Sequence, residues 1–240
     1  MASVRQEQSE FPDISITGRM CSGKTYVSDW LVGEVGYARL SFAASLKDIE
    51  QYLQKHSPLR ALFFVLRRYG NVPFKKWWTL FAILGTCRNI EVEIPKPRKR
   101  LQYLGNTIRD HISKSYWLDL AVQQYQHLRP GTHVVFDDAR YPNEIACLKE
   151  LGFVTVKLET FSDVRMRRIK KLYDITDYYD PRLEAESERS CDDPQNKFDY
   201  VVINNDDGHA IEVFRDIIVD FILAHEILQQ QSQEQSDGAN

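Results

Sequence analysis

Long apolar runs are missing from this sequence. The longest, Trp77–Leu84, is much shorter than the roughly 20 residues that a membrane-spanning helix needs. The first residues, Met1–Gln8, lack the apolar region of a signal peptide. We therefore expect no membrane partner and a cytoplasmic location.

Cysteine is also scarce, and its four occurrences form no closely spaced pair: Cys21, Cys87, Cys147 and Cys191. This spacing excludes the usual sequence patterns of a structural zinc site and of a small disulfide-linked domain. We expect reduced thiols, as in intracellular proteins.

Neither sign of charge dominates the chain. The formal net charge is −3 over 240 residues, so the chain as a whole is not built to bind nucleic acid. Basic residues are concentrated between Arg60 and Arg100, where only Glu91 and Glu93 are acidic. A hydrophobic content of 43% supports a sizeable core, and the length suits one α/β domain with an insertion.

The residues from Gly18 to Thr25 have the Walker A pattern, Gly-x-x-x-x-Gly-Lys-Thr, after an apolar run and before a helix-like segment. The two glycines allow backbone conformations in which successive N–H groups point at phosphate oxygens. The following helix adds its positive dipole end. We predict that ATP phosphates bind to Gly18, Arg19, Cys21, Ser22, Gly23, Lys24 and Thr25, although an ordinary glycine turn is the alternative.

Short apolar runs alternate with helix-like segments along the chain. Strands are predicted at Ile14–Thr17, Ala38–Phe42, His133–Asp137, Phe153–Leu158 and Tyr200–Ile203. This alternation is typical of a parallel sheet. We predict an α/β P-loop NTPase fold: a five-stranded parallel sheet flanked by helices, with a helical insert and a lid.

The predicted organisation follows from these elements and from composition. The P-loop domain covers residues 12–228, with a disordered N-terminus at 1–11 and a disordered tail at 229–240. Residues 56–100, rich in basic and aromatic side chains, form an inserted subdomain. This composition is compatible with nucleic acid or an anionic membrane surface, but a helical insert with a solvated basic face is the simpler interpretation.

Acidic residues follow the apolar part of the third strand. Ligands of parallel sheets bind at the carboxyl ends of strands, so Asp137 or Asp138 is expected to hold Mg²⁺ together with Thr25. One of the two is alternatively a helix cap. Arg140 is placed to clamp a phosphate, and Glu144 either caps the next helix or holds Arg140.

Three further groups of basic residues are candidates for phosphate contacts. Lys47 follows the second strand and is otherwise a solvated helix lysine. Arg109 shares a predicted helix face with Gln102. The cluster Arg165, Arg167 and Arg168 begins a polar lid at 165–198, although such a cluster is often only a solvated face.

These segments together resemble the deoxynucleoside monophosphate kinases of phages and viruses. The resemblance rests on Gly18–Thr25, Ser41–Lys47, Leu101–Arg109, Trp117, Asp138–Glu144 and Val202–Gly208.

The resemblance implies transfer of the γ-phosphate of ATP to the 5′-phosphate of a (deoxy)nucleoside monophosphate. Lys24, Arg140 and the lid arginines would act in catalysis. It further implies that Gln102, Gly105 and Trp117 line the acceptor pocket, beside Lys47, Arg109, Asp138, Arg140 and Glu144. Asn204 and Asn205 would lie near the adenine of ATP.

Two other functions stay open. One is a different P-loop small-molecule kinase, such as a phosphomevalonate kinase, which also needs an anionic acceptor. The other is an ATP-binding module that engages nucleic acid through the basic insert. The absence of an Asp-x-x-Gly switch after the third strand argues against a GTPase. The sequence does not specify an oligomeric state, and a homodimer is compatible with it.

Overall fold

The computed structural model describes residues 11–93, 97–173, 175–205 and 208–237, with side chains given except at 181 and 228–237. The chain forms two compact units. The first comprises Met1–Arg39 and Leu128–Asn240, and the second is the continuous segment Leu40–His127.

The first unit is built on the predicted five-stranded sheet, so the α/β P-loop fold class is confirmed. The strands are β1 (Ile14–Thr17), β2 (Ala38–Leu40), β3 (Val134–Ala139), β4 (Val154–Glu159) and β5 (Tyr200–Ile203). Their order is β2-β3-β1-β4-β5. β1 pairs in parallel with β3 and β4, and β5 pairs in parallel with β4.

The central strand is buried on both faces. Ile14 and Ile16 are inaccessible to solvent, and the small side chains of Ser15 and Thr17 are each 1% exposed. Apolar and polar residues alternate along β1, yet both of its faces are buried, as expected inside a parallel sheet covered by helices. The carboxyl ends of β1, β3 and β4 therefore meet at one edge of the sheet.

Helices cover this sheet. They are α1 (Lys24–Trp30), which continues as a π-helical turn at Leu31–Val35, then α7 (Pro142–Glu150), α8 (Ser162–Leu172), the short α9 (Glu186–Arg189) and α10 (His209–Asp237). Val27 and Leu31 pack with Phe214 and Ile218 against the β1 side chains. Burial of apolar side chains of this size stabilises the fold by roughly 1.5–3 kcal/mol each.

The second unit is entirely helical within its described residues. Its helices are α2 (Ala44–Lys55), α3 (Pro58–Arg68), α4 (Trp77–Arg88), α5 (Arg98–His111) and α6 (Tyr116–Gln126). One apolar cluster joins all of them, with Ile49, Val65, Leu84 and Leu104 at its centre. The predicted insert at 56–100 thus shares its core with the flanking helices.

The chain ends differ in part from expectation. Phe11, predicted as disordered, stacks edge-on against His133 with ring centroids 4.9 Å apart. α10 continues to Asp237, into the range predicted as a disordered tail. Residues 1–10 and 238–240 lie outside the described residues.

Two further findings bear on the composition. All four cysteines are free thiols, as expected. Within the described ranges, no helix combines the length and the apolar character needed to cross a membrane.

Candidate functional site

The loop between β1 and α1 is a compact turn. The Ser22 N–H donates to the Arg19 carbonyl at 3.1 Å. Gly23 has φ +97°, in the left-handed region, and a Cβ there would collide with the side-chain amide of Asn204. Glycine is therefore required at this position by both conformation and space.

The Lys24 side chain folds back over the loop. Its Nζ donates to the Gly18 carbonyl at 2.5 Å and to the Arg19 carbonyl at 2.9 Å. Burial lowers the pKa of Lys24 to about 8, and the nearby Arg140 guanidinium acts in the same direction. An anion at the loop would reverse this effect by stabilising the charged ammonium.

Several loop amides remain available to a ligand. Among the described residues, the N–H groups of Cys21, Gly23, Lys24 and Thr25 donate to no protein acceptor. The Thr25 side chain is exposed at the start of α1. A row of unpaired N–H groups at a helix N-terminus is the ordinary means by which proteins bind phosphate.

The structure distinguishes the two acids of β3. Neighbouring strand residues point to opposite faces, and Asp137 is the one directed at α1. Its Oδ2 accepts from Ser28 Oγ at 2.8 Å and lies 3.6 Å from Arg39 Nε. Burial raises the pKa of Asp137, as does the neighbouring charge of Asp138, whereas the Ser28 hydrogen bond lowers it.

Glu144 holds the backbone of the β3–α7 turn. Its Oε2 accepts from the N–H groups of Arg140 at 2.9 Å and Tyr141 at 3.1 Å, and it caps the first turn of α7. The Arg140 guanidinium instead donates to Glu188 of α9. Glu144 therefore holds the backbone of Arg140 in place, and Glu188 holds its guanidinium group.

The lid arginines of α8 differ in their surroundings. Arg168 donates to the Cys21 carbonyl at 3.1 Å and to the Asn204 carbonyl at 2.9 Å, which ties α8 to the loop. Arg165 has a buried Nη1 with no hydrogen-bond partner among the described residues. Arg167 is exposed to solvent.

A cavity of about 500 Å³ opens beside the loop. The cavity is lined by Arg168 and by four loop residues, Cys21, Gly23, Lys24 and Thr25. Tyr26, Leu172 and Tyr173 provide apolar and aromatic surface. Asn204 also lines it, and its Nδ2 donates to the Ser22 carbonyl at 2.9 Å. The Asn205 Oδ1 accepts from the Phe161 N–H at the start of α8.

Comparison with known proteins adds a distant relationship. No protein-family profile matches the chain. The chain is 26% identical over 184 residues to a protein of Acanthamoeba polyphaga mimivirus described as "Putative deoxynucleotide monophosphate kinase", covering 68% of this chain and 85% of that one. This likeness supports a relationship to kinases.

A solved structure, TT1252 from Thermus thermophilus, is also similar to this chain. Its TM-score is 0.46 at 18% sequence identity, over 86% of this chain and 96% of that one.

The predicted acceptor residues of the second unit lie on α2, α5 and α6. Lys47 and Gln102 are exposed, and Arg109 is half-buried. Trp117 is only 3% exposed, and its Nε1 donates to the Gly105 carbonyl at 3.0 Å. A Cβ on Gly105 would touch Leu46 at 3.4 Å. Gly105 and Trp117 thus pack α5 closely against α6.

Sequence reasoning missed several residues at the loop. Ser28, Arg39 and Glu188 were not predicted, because their contacts join segments that are distant in the chain. For Ser28 a signal existed: it lies one helical turn after Thr25 and so shares its face of α1.

A guanine-recognition pattern is also present, Asn-Lys-x-Asp at 196–199. It precedes β5 and so lies at the amino end of that strand, at the opposite edge of the sheet from the loop. The Asp199 carboxylate accepts from the Thr155 N–H and hydroxyl and pairs with Lys149 at 2.6 Å. Asp199 therefore has a structural role here.

Proposed function

We propose that the protein transfers the γ-phosphate of ATP to the 5′-phosphate of a (deoxy)nucleoside monophosphate. The observation that carries the proposal is the set of unpaired loop amides at Cys21 and Gly23–Thr25, which border a cavity together with Lys24 and Arg168. The mimivirus relative described as a deoxynucleotide monophosphate kinase supports the choice of reaction.

In this proposal the cavity beside the loop takes ATP. The loop amides and Lys24 would hold the phosphates, because unpaired N–H groups and an enclosed ammonium favour anionic oxygen. Leu172 and Tyr173 offer apolar and aromatic surface of the kind that packs against a nucleobase. Asn204 keeps the floor of the cavity in place through its bond to Ser22.

The residues at the end of β3 fit Mg²⁺. This ion prefers oxygen ligands. The Thr25 hydroxyl is exposed in the first turn of α1, the helix whose Ser28 hydrogen-bonds to the Asp137 carboxylate. Bound there, Mg²⁺ would neutralise phosphate charge. We propose Asp137 rather than Asp138 because Asp137 is the acid that faces α1.

The proposed reaction needs no strong general base. An acceptor phosphate is already ionised near neutral pH, so positioning and charge neutralisation carry most of the catalysis. The residues proposed for the acceptor are those that the sequence predicts: Lys47, Gln102, Gly105, Arg109, Trp117, Asp138, Arg140 and Glu144.

An acceptor panel tests the proposal. Purified protein with ATP and Mg²⁺ would be mixed with dGMP, dTMP, dCMP, dAMP, their ribose counterparts and non-nucleotide phosphates, and ADP release would be followed. We expect release that depends on at least one nucleoside monophosphate. A preference for phosphomevalonate would favour the other kinase class. ATP binding without release by any acceptor would refute kinase activity.

Replacement of Arg168 by alanine is expected to lower kcat by about 10²-fold, within the range for removal of one preorganised donor. Arg168 joins α8 to the loop through the Cys21 and Asn204 carbonyls. The control is Lys171→Ala on the same helix, because Lys171 is exposed and has no role in the proposed site. It should keep kcat within about twofold, and equal losses in both variants would contradict the assignment.

A further inference from the structure

One buried carboxylate bridges the phosphate loop and Arg140. Glu188, in α9, is only 5% exposed. Its Oε2 accepts from the Met20 N–H at 2.5 Å, and its Oε1 accepts from the Arg140 guanidinium. A single side chain thus engages a loop amide and the arginine that follows β3.

The residues around Glu188 fasten the same segment to the loop. We call residues 184–192 the acidic strap. Arg19 pairs with Glu184 at 3.5 Å and with Asp192 at 2.5 Å. Asp192 also pairs with Lys157 at 2.8 Å, and the Cys191 thiol donates to the Gly18 carbonyl at 3.6 Å.

The partners of Glu188 are those that a phosphate would use. Loop amides and guanidinium groups are the standard protein donors to phosphate, and a carboxylate accepts the same charge-assisted hydrogen bonds. The Met20 N–H has one hydrogen and donates fully to one acceptor at a time. A phosphate oxygen placed beside the carboxylate would also be repelled by it.

We infer that Glu188 is an internal phosphate mimic that occupies the loop until ATP displaces it. This inference rests on the proposed function, because it assigns ATP to the loop. Displacement removes the carboxylate from Arg140 as well, so the arginine becomes available to the acceptor phosphate only after the donor has bound. The strap therefore couples donor binding to completion of the site.

A competing internal group lowers the apparent affinity for ATP, since only the fraction of molecules with a displaced strap is ready to bind. Glu188→Gln keeps the size and one acceptor but removes the charge. Replacing a charge-assisted bond by a neutral one weakens the competitor, so ATP should bind about tenfold more tightly.

The experiment measures ATP binding by calorimetry, without acceptor, in the wild type, in Glu188→Gln and in Glu186→Gln. Glu186 is an exposed acid on the same helix and is the matched control. We expect tighter binding for Glu188→Gln and an unchanged constant for Glu186→Gln. If Glu188 only stabilises the fold, Glu188→Gln should bind ATP with weaker or unchanged affinity. That result would overturn the inference.

A second measurement needs no variant and so does not depend on the folding of Glu188→Gln. Amide hydrogen exchange within the strap should speed up when the wild type is saturated with ATP. Unchanged or slower exchange would contradict displacement while leaving the proposed reaction intact. ATP binding without transfer in the acceptor panel would refute the reaction while leaving the strap in place.

Discussion

Replacement of Lys24 by alanine is expected to lower kcat/KM for ATP by about 10³-fold, the order of magnitude for loss of a preorganised charge in a site that excludes water. The ammonium is held by the Gly18 and Arg19 carbonyls, so its position is set before a ligand arrives. Steady-state kinetics against ATP would measure the loss. The control is Lys55→Ala, which replaces an exposed lysine of α2 and should leave kcat/KM for ATP unchanged.

The pH profile distinguishes the charge of Lys24 from its packing. Since its pKa is about 8 in the free protein, the ammonium is present below that pH and is lost above it. ATP affinity should therefore be constant below about pH 7 and fall as the pH rises through 8. Burial raises the pKa of the Cys21 and Cys191 thiols, which opposes their ionisation as the pH rises. A flat ATP affinity from pH 7 to 9 would contradict the role of the Lys24 charge.

Replacement of Glu50 by leucine is expected to reduce the free energy of unfolding by about 3–5 kcal/mol, because it leaves a buried charge without its partner. Glu50 and Arg100 are each 2% exposed, and Glu50 Oε1 lies 3.4 Å from Arg100 Nε. Arg100 Nε and Nη2 have no hydrogen-bond partner in the described part of the chain. Thermal unfolding of Glu50→Leu and of the wild type would measure the difference.

Two further variants show whether the loss of unfolding free energy comes from the buried charge. Arg68→Ala breaks an exposed pair with Asp48, 2.9 Å long, and should cost less than about 1 kcal/mol. The double variant Glu50→Leu/Arg100→Met replaces both charges by apolar groups and should recover most of the stability. If the single and double variants unfold alike, the effect belongs to packing rather than to the buried charge.

The sheet and the loop between β1 and α1 could be predicted from sequence because their signals are local. The spacing of Gly18, Gly23 and Lys24 defines the loop by itself, and an unbroken apolar run such as 134–136 indicates a buried strand. The strand ends were correct to within two residues at most. Such features depend on neighbours in the chain, which the sequence shows directly.

The contacts of Asp137 and Glu188 required the structure. Both acids of β3 follow the same apolar run, and alternation places them on opposite faces without saying which face meets α1. Glu188 lies in a polar segment whose composition predicts only a lid, and its partners Met20 and Arg140 come from other elements. The same holds for Glu50 and Arg100. In the sequence they are indistinguishable from solvated helix residues, and only the packing of the helices shows that both are buried.

The strand order has a consequence for the way the chain is made. β1 lies in the centre of the sheet, yet its neighbours β3 and β4 are encoded after the whole second unit. During synthesis the loop after β1 therefore emerges before both neighbours of that strand, and β1 must wait for β3 and β4. The helical second unit depends on contacts close in sequence, which form quickly. The nascent chain thus completes its helical unit before it completes the sheet that carries the proposed phosphate site.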